Sequence, residues 1–192
     1  MDTFGRPHNS SFMRTWKFVL IGLITLVVAF LSINLFAPSR VQFEKTMVIE
    51  AEPEALFAIC NNLSTWSSWN PSFHGAVNFQ NTFVDSTGSN AEWILNSEGD
   101  EVGRVRTEAW VENRLVRVTV DLQERKDWIQ IEWSLEGSPN GTKILCRVQT
   151  EKSSFFWKFL NLGLRSQMET YYDGALLNLK NRFASNPKES NT

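Results

Sequence analysis

One stretch near the start of the chain carries no polar face at all. From Phe18 to Phe36 it reads FVLIGLITLVVAFLSINLF, uncharged, with only Thr25, Ser32 and Asn34 polar. As a helix it would be about 28 Å long, close to the hydrocarbon thickness of a bilayer. A soluble helix of that length would show a polar stripe. Trp16 and Lys17 stand where an interfacial aromatic and a basic flank are expected. The pattern therefore predicts a transmembrane helix over 18–36. Signal peptidases prefer small residues before the cut, whereas Leu35 would lie at −3 and Pro38 at +1, so the helix is expected to be retained as an anchor. Arg6, Arg14 and Lys17 precede it, against Arg40 and Lys45 after it. Positive residues favour the cytoplasmic side. This predicts a single-pass protein of the cell membrane, with a cytoplasmic tail over 1–17 and an extracytoplasmic domain.

Beyond a linker at 37–40 the periodicity changes. Val41–Ala51 reads as a strand, and Pro53 then stands at the first turn of a helix, where its missing N–H costs nothing. Leu56, Ile59, Cys60 and Leu63 recur at helical spacing and are expected to face inward. Ser64-Thr65 would cap a second short helix carrying Trp66 and Trp69, ended by Pro71. Short alternating runs follow, at Ala76–Val84, Ala91–Asn96, Val102–Glu112, Leu115–Leu122, Trp128–Glu136 and Thr142–Thr150. Turn residues separate them, including Asn140-Gly141, a strong hairpin signal. In the fifth of these runs Ile129, Ile131, Trp133 and Leu135 share one face, opposite Gln130, Glu132, Ser134 and Glu136, so one wall is apolar and the other wet. A long amphipathic helix is predicted from Ser154 to Ala184, its stripe running through Phe156, Leu160, Leu164, Met168, Tyr172, Ala175, Leu176, Leu179 and Phe183. Gly163 and Gly174 would weaken it and allow a bend. The domain spans 41–185, and 186–192 reads as a disordered tail. The expected architecture is α+β, an antiparallel sheet curved round one long C-terminal helix.

Charge narrows the partners. From Val41 onward there are 15 basic and 20 acidic residues, a net charge of −5. Phosphate-backbone binding needs a clustered basic face, so no nucleic-acid partner is expected. Cys60 and Cys146 are the only cysteines and lack metal-site spacing. They read as small buried apolar side chains, with a single disulfide as the alternative in an oxidising compartment. Eight Trp and fourteen Phe suffice to build a large core or line a cavity.

The opening TMVIEAEPEALFAICNNLSTWSSWNPS resembles that of the START-like (SRPBCC) superfamily, especially its polyketide cyclase/dehydrase and lipid-transport branch. The features carrying the resemblance are Ala51, Pro53, Leu56-Phe57, Trp66, Trp69 and Pro71. The segment GALLNLKNRFAS, from Gly174 to Ser185, resembles the superfamily's closing helix. The likeness covers about Val41 to Ala184. It implies a helix-grip fold, in which a seven-stranded antiparallel sheet grips the C-terminal helix around an apolar cavity. The superfamily includes lipid carriers, receptors, aromatase/cyclases and ring-hydroxylating oxygenase domains, and fold alone does not choose among them.

Residues with catalytic chemistry are sparse. The domain has one histidine, His74, placed in a loop, and the ring-hydroxylase iron site needs two. No metal or other cofactor is expected. Tyr171 or Tyr172, Thr107, Glu92 and Asn70 are polar candidates for the cavity or its mouth. Arg104, Arg106 and Glu108 alternate with apolar positions and read as a charge ladder facing water. The aromatics carry the positive case. Trp66, Trp69, Phe73, Trp93 and Trp133, with Met168 and Tyr172, are the candidate ligand-binding residues, since such sites are mostly apolar with few polar fixtures. The alternative is that they fill a core. Three readings follow: a membrane-anchored module binding a lipid or other hydrophobic small molecule, a cyclase/dehydratase-like or hydrolytic enzyme using Tyr172, Glu92 or His74, and an interaction module with a filled cavity.

Overall fold

The computed structural model describes residues 10–78, 80–122, 127–151, 155 and 158–185. The predicted tail after 185, the turn at 123–126 and the residues Ser154 and Phe156 lie outside them. The apolar run is helical, as α1 (Ser10–Phe36), and its Thr15–Phe36 segment is long and apolar enough to cross a membrane. Then come β1 (Gln42–Ile49), α2 (Pro53–Cys60) and α3 (Trp66–Trp69). The strands continue as β2 (Gln80–Asp85), β3 (Glu92–Ser97), β4 (Asp100–Val111), β5 (Leu115–Leu122), β6 (Asp127–Ser138) and β7 (Gly141–Thr150). The order closes on α4 (Leu160–Ser185).

The seven strands form one antiparallel sheet in the order β1-β7-β6-β5-β4-β3-β2. Consecutive hairpins build the meander from β2 to β7, and β1 adds to its far edge. Register shifts interrupt β2–β3, β3–β4 and β4–β5. Such irregularities bend and twist a sheet, and this one curls over α4 in the helix-grip arrangement. Its concave face supplies Phe43, Ile49, Trp93, Val105, Val116, Val118, Ile131, Trp133, Ile144, Cys146 and Val148, all buried. From the other side come Leu56, Cys60 and Leu63, the tryptophans of α3, and Met168, Tyr172, Ala175, Leu176, Leu179 and Phe183 of α4. Lys45 fixes α4 to β1, its Nζ lying 2.8 Å from Asp173.

Several local expectations are corrected. The stretch expected to open β2 is a 3-10 helix, Pro71–Asn78. Asn70 starts it, its Oδ1 accepting the Ser72 N–H at 3.1 Å. Such a side-chain bond offers the backbone an alternative to extended pairing. Thr65 is the N-cap residue of α3, as expected, but it makes no side-chain cap bond; the capping side chain is that of Asn62, one turn earlier, at the start of the 3-10 turn Leu63–Thr65. The Asn62 Oδ1 accepts the Ser64 N–H at 3.1 Å, while Thr65 turns its hydroxyl back onto the Ile59 and Asn62 carbonyls. The outer face of β6 is not uniformly wet. Glu132 is buried there between Arg117 and Arg147, the neighbours that registration with β5 and β7 sets directly opposite it. The β6–β7 hairpin lies at the Asn-Gly signal, but its loop is Pro139-Asn140 and Gly141 already pairs with Ser138. Gly141 has φ +116, and a Cβ there would meet the Ile49 carbonyl oxygen at 2.2 Å. Gly174 serves packing, since a Cβ would stand 3.2 Å from Pro71 where α4 crosses the 3-10 helix. Finally, Leu160 and Leu164 do not continue the buried stripe of α4; both are exposed.

Candidate functional site

Helix α3 is a single turn between Thr65 and Asn70, and Trp66 and Trp69 are both buried in the grip. Their rings meet edge to face at 5.8 Å. Trp69 continues to Trp133 on β6 at 5.4 Å, and Trp133 to Tyr172 on α4 at 6.0 Å. On the other side Trp66 touches Phe73 of the 3-10 helix at 5.3 Å, and Phe73 touches Trp93 on β3 at 5.5 Å. Phe43 and Phe83 extend the chain at its two ends, through Tyr172 and Trp93. All seven candidate residues, Met168 included, belong to one buried cluster. Sequence reading missed Phe43 and Phe83, although each lies at an inward position of its strand's alternation.

Polar atoms are sparse inside this cluster. The Trp66 indole N–H donates to the Cys60 carbonyl at 2.9 Å and that of Trp69 to the Thr65 hydroxyl at 3.3 Å. Among the described residues, four buried side-chain polar atoms have no protein partner: Thr119 Oγ1, on the outer side of β5 opposite Arg106 and Gln130, and, toward the grip, Asn70 Nδ2, Thr107 Oγ1 and Trp133 Nε1. Buried polar groups are paired in the great majority of cases, so the three toward the grip are exceptions beside an apolar cluster whose rings are in mutual contact. Asn70 sits beside Trp69, Trp133 faces Trp69, and Thr107 lies on the inner side of β4 opposite Val118.

Among the described residues, the titratable groups buried with this cluster are Tyr172, Cys60 and Cys146, and each is held in its neutral form. Burial pushes the Tyr172 phenol well above its ordinary value, and the nearby Cys146 adds to this, with a hydrogen bond from Ser72 working the other way. The Cys60 thiol is pushed up to about 12 by burial, and Cys146 is raised by burial and by Cys60. Both cysteines are free thiols.

The remaining polar candidates lie elsewhere. Glu92 is on the convex face, bound to Arg104 at 2.8 Å. Arg106 pairs with Asp121, and Glu108 accepts from Gln130 at 2.9 Å, so the expected ladder forms on that face. His74 is exposed on the 3-10 helix. Tyr171 points outward, its hydroxyl accepting from Gln167 at 3.0 Å. Among the described residues no cluster of three or more His, Cys, Asp or Glu side chains could hold a metal ion.

A second polar cluster joins α1 to the domain. Asn34, within the apolar run, is fully buried, and its Oδ1 accepts the Phe159 N–H at 3.3 Å. Asn161 donates to the Pro38 carbonyl at 2.9 Å, and the Phe30 and Phe159 rings meet at 5.6 Å. Asn34 was the available signal in the sequence, as the largest polar residue in an otherwise apolar run.

Comparison with known proteins agrees with this architecture. The sequence profile described as "Polyketide cyclase / dehydrase and lipid transport" matches residues 40–184. No curated protein sequence matches the chain. Among solved structures, it is similar to the di-domain ARO/CYC StfQ from the steffimycin biosynthetic pathway, with a TM-score of 0.56 and 9% identity over 93% of this chain and 61% of that one. It is similar to a Bacillus halodurans protein solved in solution, with a TM-score of 0.55 and 11% identity over 75% of this chain and 98% of that one. A Staphylococcus aureus protein of unknown function gives a TM-score of 0.53 and 14% identity over 79% and 99%. Likeness at these identities establishes the fold alone.

Proposed function

This chain belongs to the polyketide cyclase/dehydrase and lipid transport family, and from that premise we propose that it is a membrane-anchored module holding a lipid or another apolar small molecule inside the grip. The observation carrying this reading is the aromatic cluster with its three unpartnered atoms. Apolar walls with a few convergent polar fixtures are what small-molecule sites are made of. Trp66, Trp69, Phe73, Trp93, Trp133, Met168 and Tyr172 supply the walls, while Asn70, Thr107 and the Trp133 indole supply the fixtures. Among the described residues the titratable groups buried with the cluster, Tyr172, Cys60 and Cys146, are all held neutral, which favours an uncharged ligand. The same neutrality favours binding over acid–base catalysis, which works best with groups titrating near the operating pH.

Helix α1 is read as a retained anchor with the N-terminus inside and the domain outside. The bonds from Asn34 and Pro38 to the start of α4 support retention, since cleavage after α1 would remove part of the domain's own packing. An anchored grip keeps its interior beside the phase into which an apolar ligand partitions.

The test is to extract the full-length protein in detergent, exchange it extensively, and identify retained small molecules by mass spectrometry. One apolar species per chain is expected, released on unfolding and reduced in Asn70→Ala and Trp133→Phe. Absence of any retained species, with no saturable uptake of a fluorescent fatty acid, would overturn the reading in favour of a filled interaction module.

A further inference from the structure

The first turn of α4 is inverted relative to water. Asn161 is 3% exposed, while Leu160, Leu162 and Leu164 around it are 43%, 56% and 38% exposed. An amphipathic helix on a soluble domain buries leucine and exposes asparagine. Phe155 is also exposed, with the Lys158 ammonium 5.6 Å from its ring centroid. The polar surface resumes at once with Arg165, paired to Glu169 at 2.8 Å, and continues through Ser166 and Gln167. The apolar patch is therefore about one helical turn high, roughly 6 Å.

Its position is fixed by α1. Phe159 packs on Phe30 and donates to Asn34, and Asn161 holds Pro38, so the start of α4 lies alongside the last two turns of the apolar helix. Whatever surrounds the end of α1 also surrounds Leu160–Leu164. We propose that the first turn of α4 is a bilayer-immersed foot: Leu160, Leu162 and Leu164 enter the acyl–headgroup boundary of the leaflet from which α1 emerges. The height of the patch matches the depth of about 5–10 Å to which interfacial helices insert, and Phe155 with Lys158 is the aromatic–basic pairing that favours the headgroup level. The domain thus stands on the membrane at a fixed tilt, and α4, which carries Met168 and Tyr172, runs from lipid into the grip. This inference rests on the reading of α1 as a membrane helix.

The experiment uses the full-length protein in phosphatidylcholine vesicles, with the fluorophore NBD on one introduced thiol in each of three variants: Leu162→Cys, Leu177→Cys and Val27→Cys. Cys60 and Cys146 are buried, so labelling goes to the new site. Leu177 is the matched control, an exposed leucine farther along α4. Phosphatidylcholine bearing an acyl-chain nitroxide is expected to quench most of the emission at 162 and 27 and little of that at 177. If 27 is quenched and 162 behaves like 177, the foot is overturned and the anchor stands. If 27 is also unquenched, the anchor reading fails and takes the foot with it. If the label at 162 escapes the nitroxide but self-quenches as the protein-to-lipid ratio rises, a second copy covers the patch and the proposal is overturned.

Discussion

At the scale of single residues, burial explains both the misread face of β6 and the silence of the cysteines. Alternation predicted that Glu132 faces outward, and it does. Alternation is blind to cross-strand neighbours, however, and here Arg117 and Arg147 close over the carboxylate from both sides. Removing it leaves two guanidinium groups facing each other without the anion between them. Both are more than a third exposed, so solvent screens much of the loss. Glu132→Ala should cost about 1–2 kcal/mol of stability, read as a lowered thermal midpoint, and Glu132→Gln should cost less. The thiols give a pH signature. A folded-state pKa raised above the unfolded one contributes stability that is complete below the unfolded value and is lost as pH climbs toward the folded one. For Cys60 that window runs from about 9 to about 12. Unfolding free energy should fall across it by up to about 1.4 kcal/mol per pH unit for each thiol. Cys60→Ala should flatten the decline in chemical denaturation at pH 8, 9 and 10.

At the scale of elements, the strands were legible because period-2 patterns and turn residues act locally. Leu115–Leu122 is found as expected, and the other meander strands after β2 lie within two residues of expectation. What failed depended on partners the pattern does not contain. Ala76–Asn78 reads as the opening of a strand, whereas it closes a 3-10 helix that begins where Asn70 turns its side chain onto the backbone. Leu160 and Leu164 fit a heptad-like stripe, yet the sheet does not reach them. The β6–β7 hairpin shows how far a local signal goes: it located the turn, but tertiary contact with β1 dictated the backbone at Gly141. A side chain at φ +116 is strained, and the Ile49 carbonyl leaves no room for one. Gly141→Ala should therefore cost about 3 kcal/mol, and amide exchange should show the loss concentrated where β1 leaves β7. Asn161→Ala removes a bond to Pro38 and should cost about 1 kcal/mol. Its effect should appear as faster exchange at the start of α4, with the sheet unchanged.

At the scale of the whole molecule, the candidate site was legible as a set and not as a geometry. A heavy aromatic load, distributed over α3, β3, β6 and α4, gave the cluster once the fold brought those elements together. The three unpartnered atoms could not be read in advance, because which donors find partners depends on rotamers in the packed interior. Orientation is the property on which the remaining parts turn. The domain beyond Val41 carries a net charge of −5, and a cytoplasmic leaflet is itself anionic, attracting basic and not acidic surfaces. A foot that presses this domain against the membrane is therefore easier to accommodate on the other face, in agreement with the three basic residues that precede the apolar run Phe18–Phe36. Free thiols on an oxidising side would ordinarily be at risk. Here Cys60 and Cys146 are fully buried and held protonated, and the thiolate is the reactive form. Two measurements on one sample follow. A reporter fused after Thr192 that is active only outside the cytoplasm should be active, and one that fluoresces only inside should be dark. The same membranes treated with maleimide should leave both native cysteines unmodified until denaturant is added. Reversed reporters would place the domain inside the cell and shift its ligand supply to the cytoplasmic leaflet. Modification before unfolding would mean that the grip opens far enough to expose its floor, beside the ring of Tyr172.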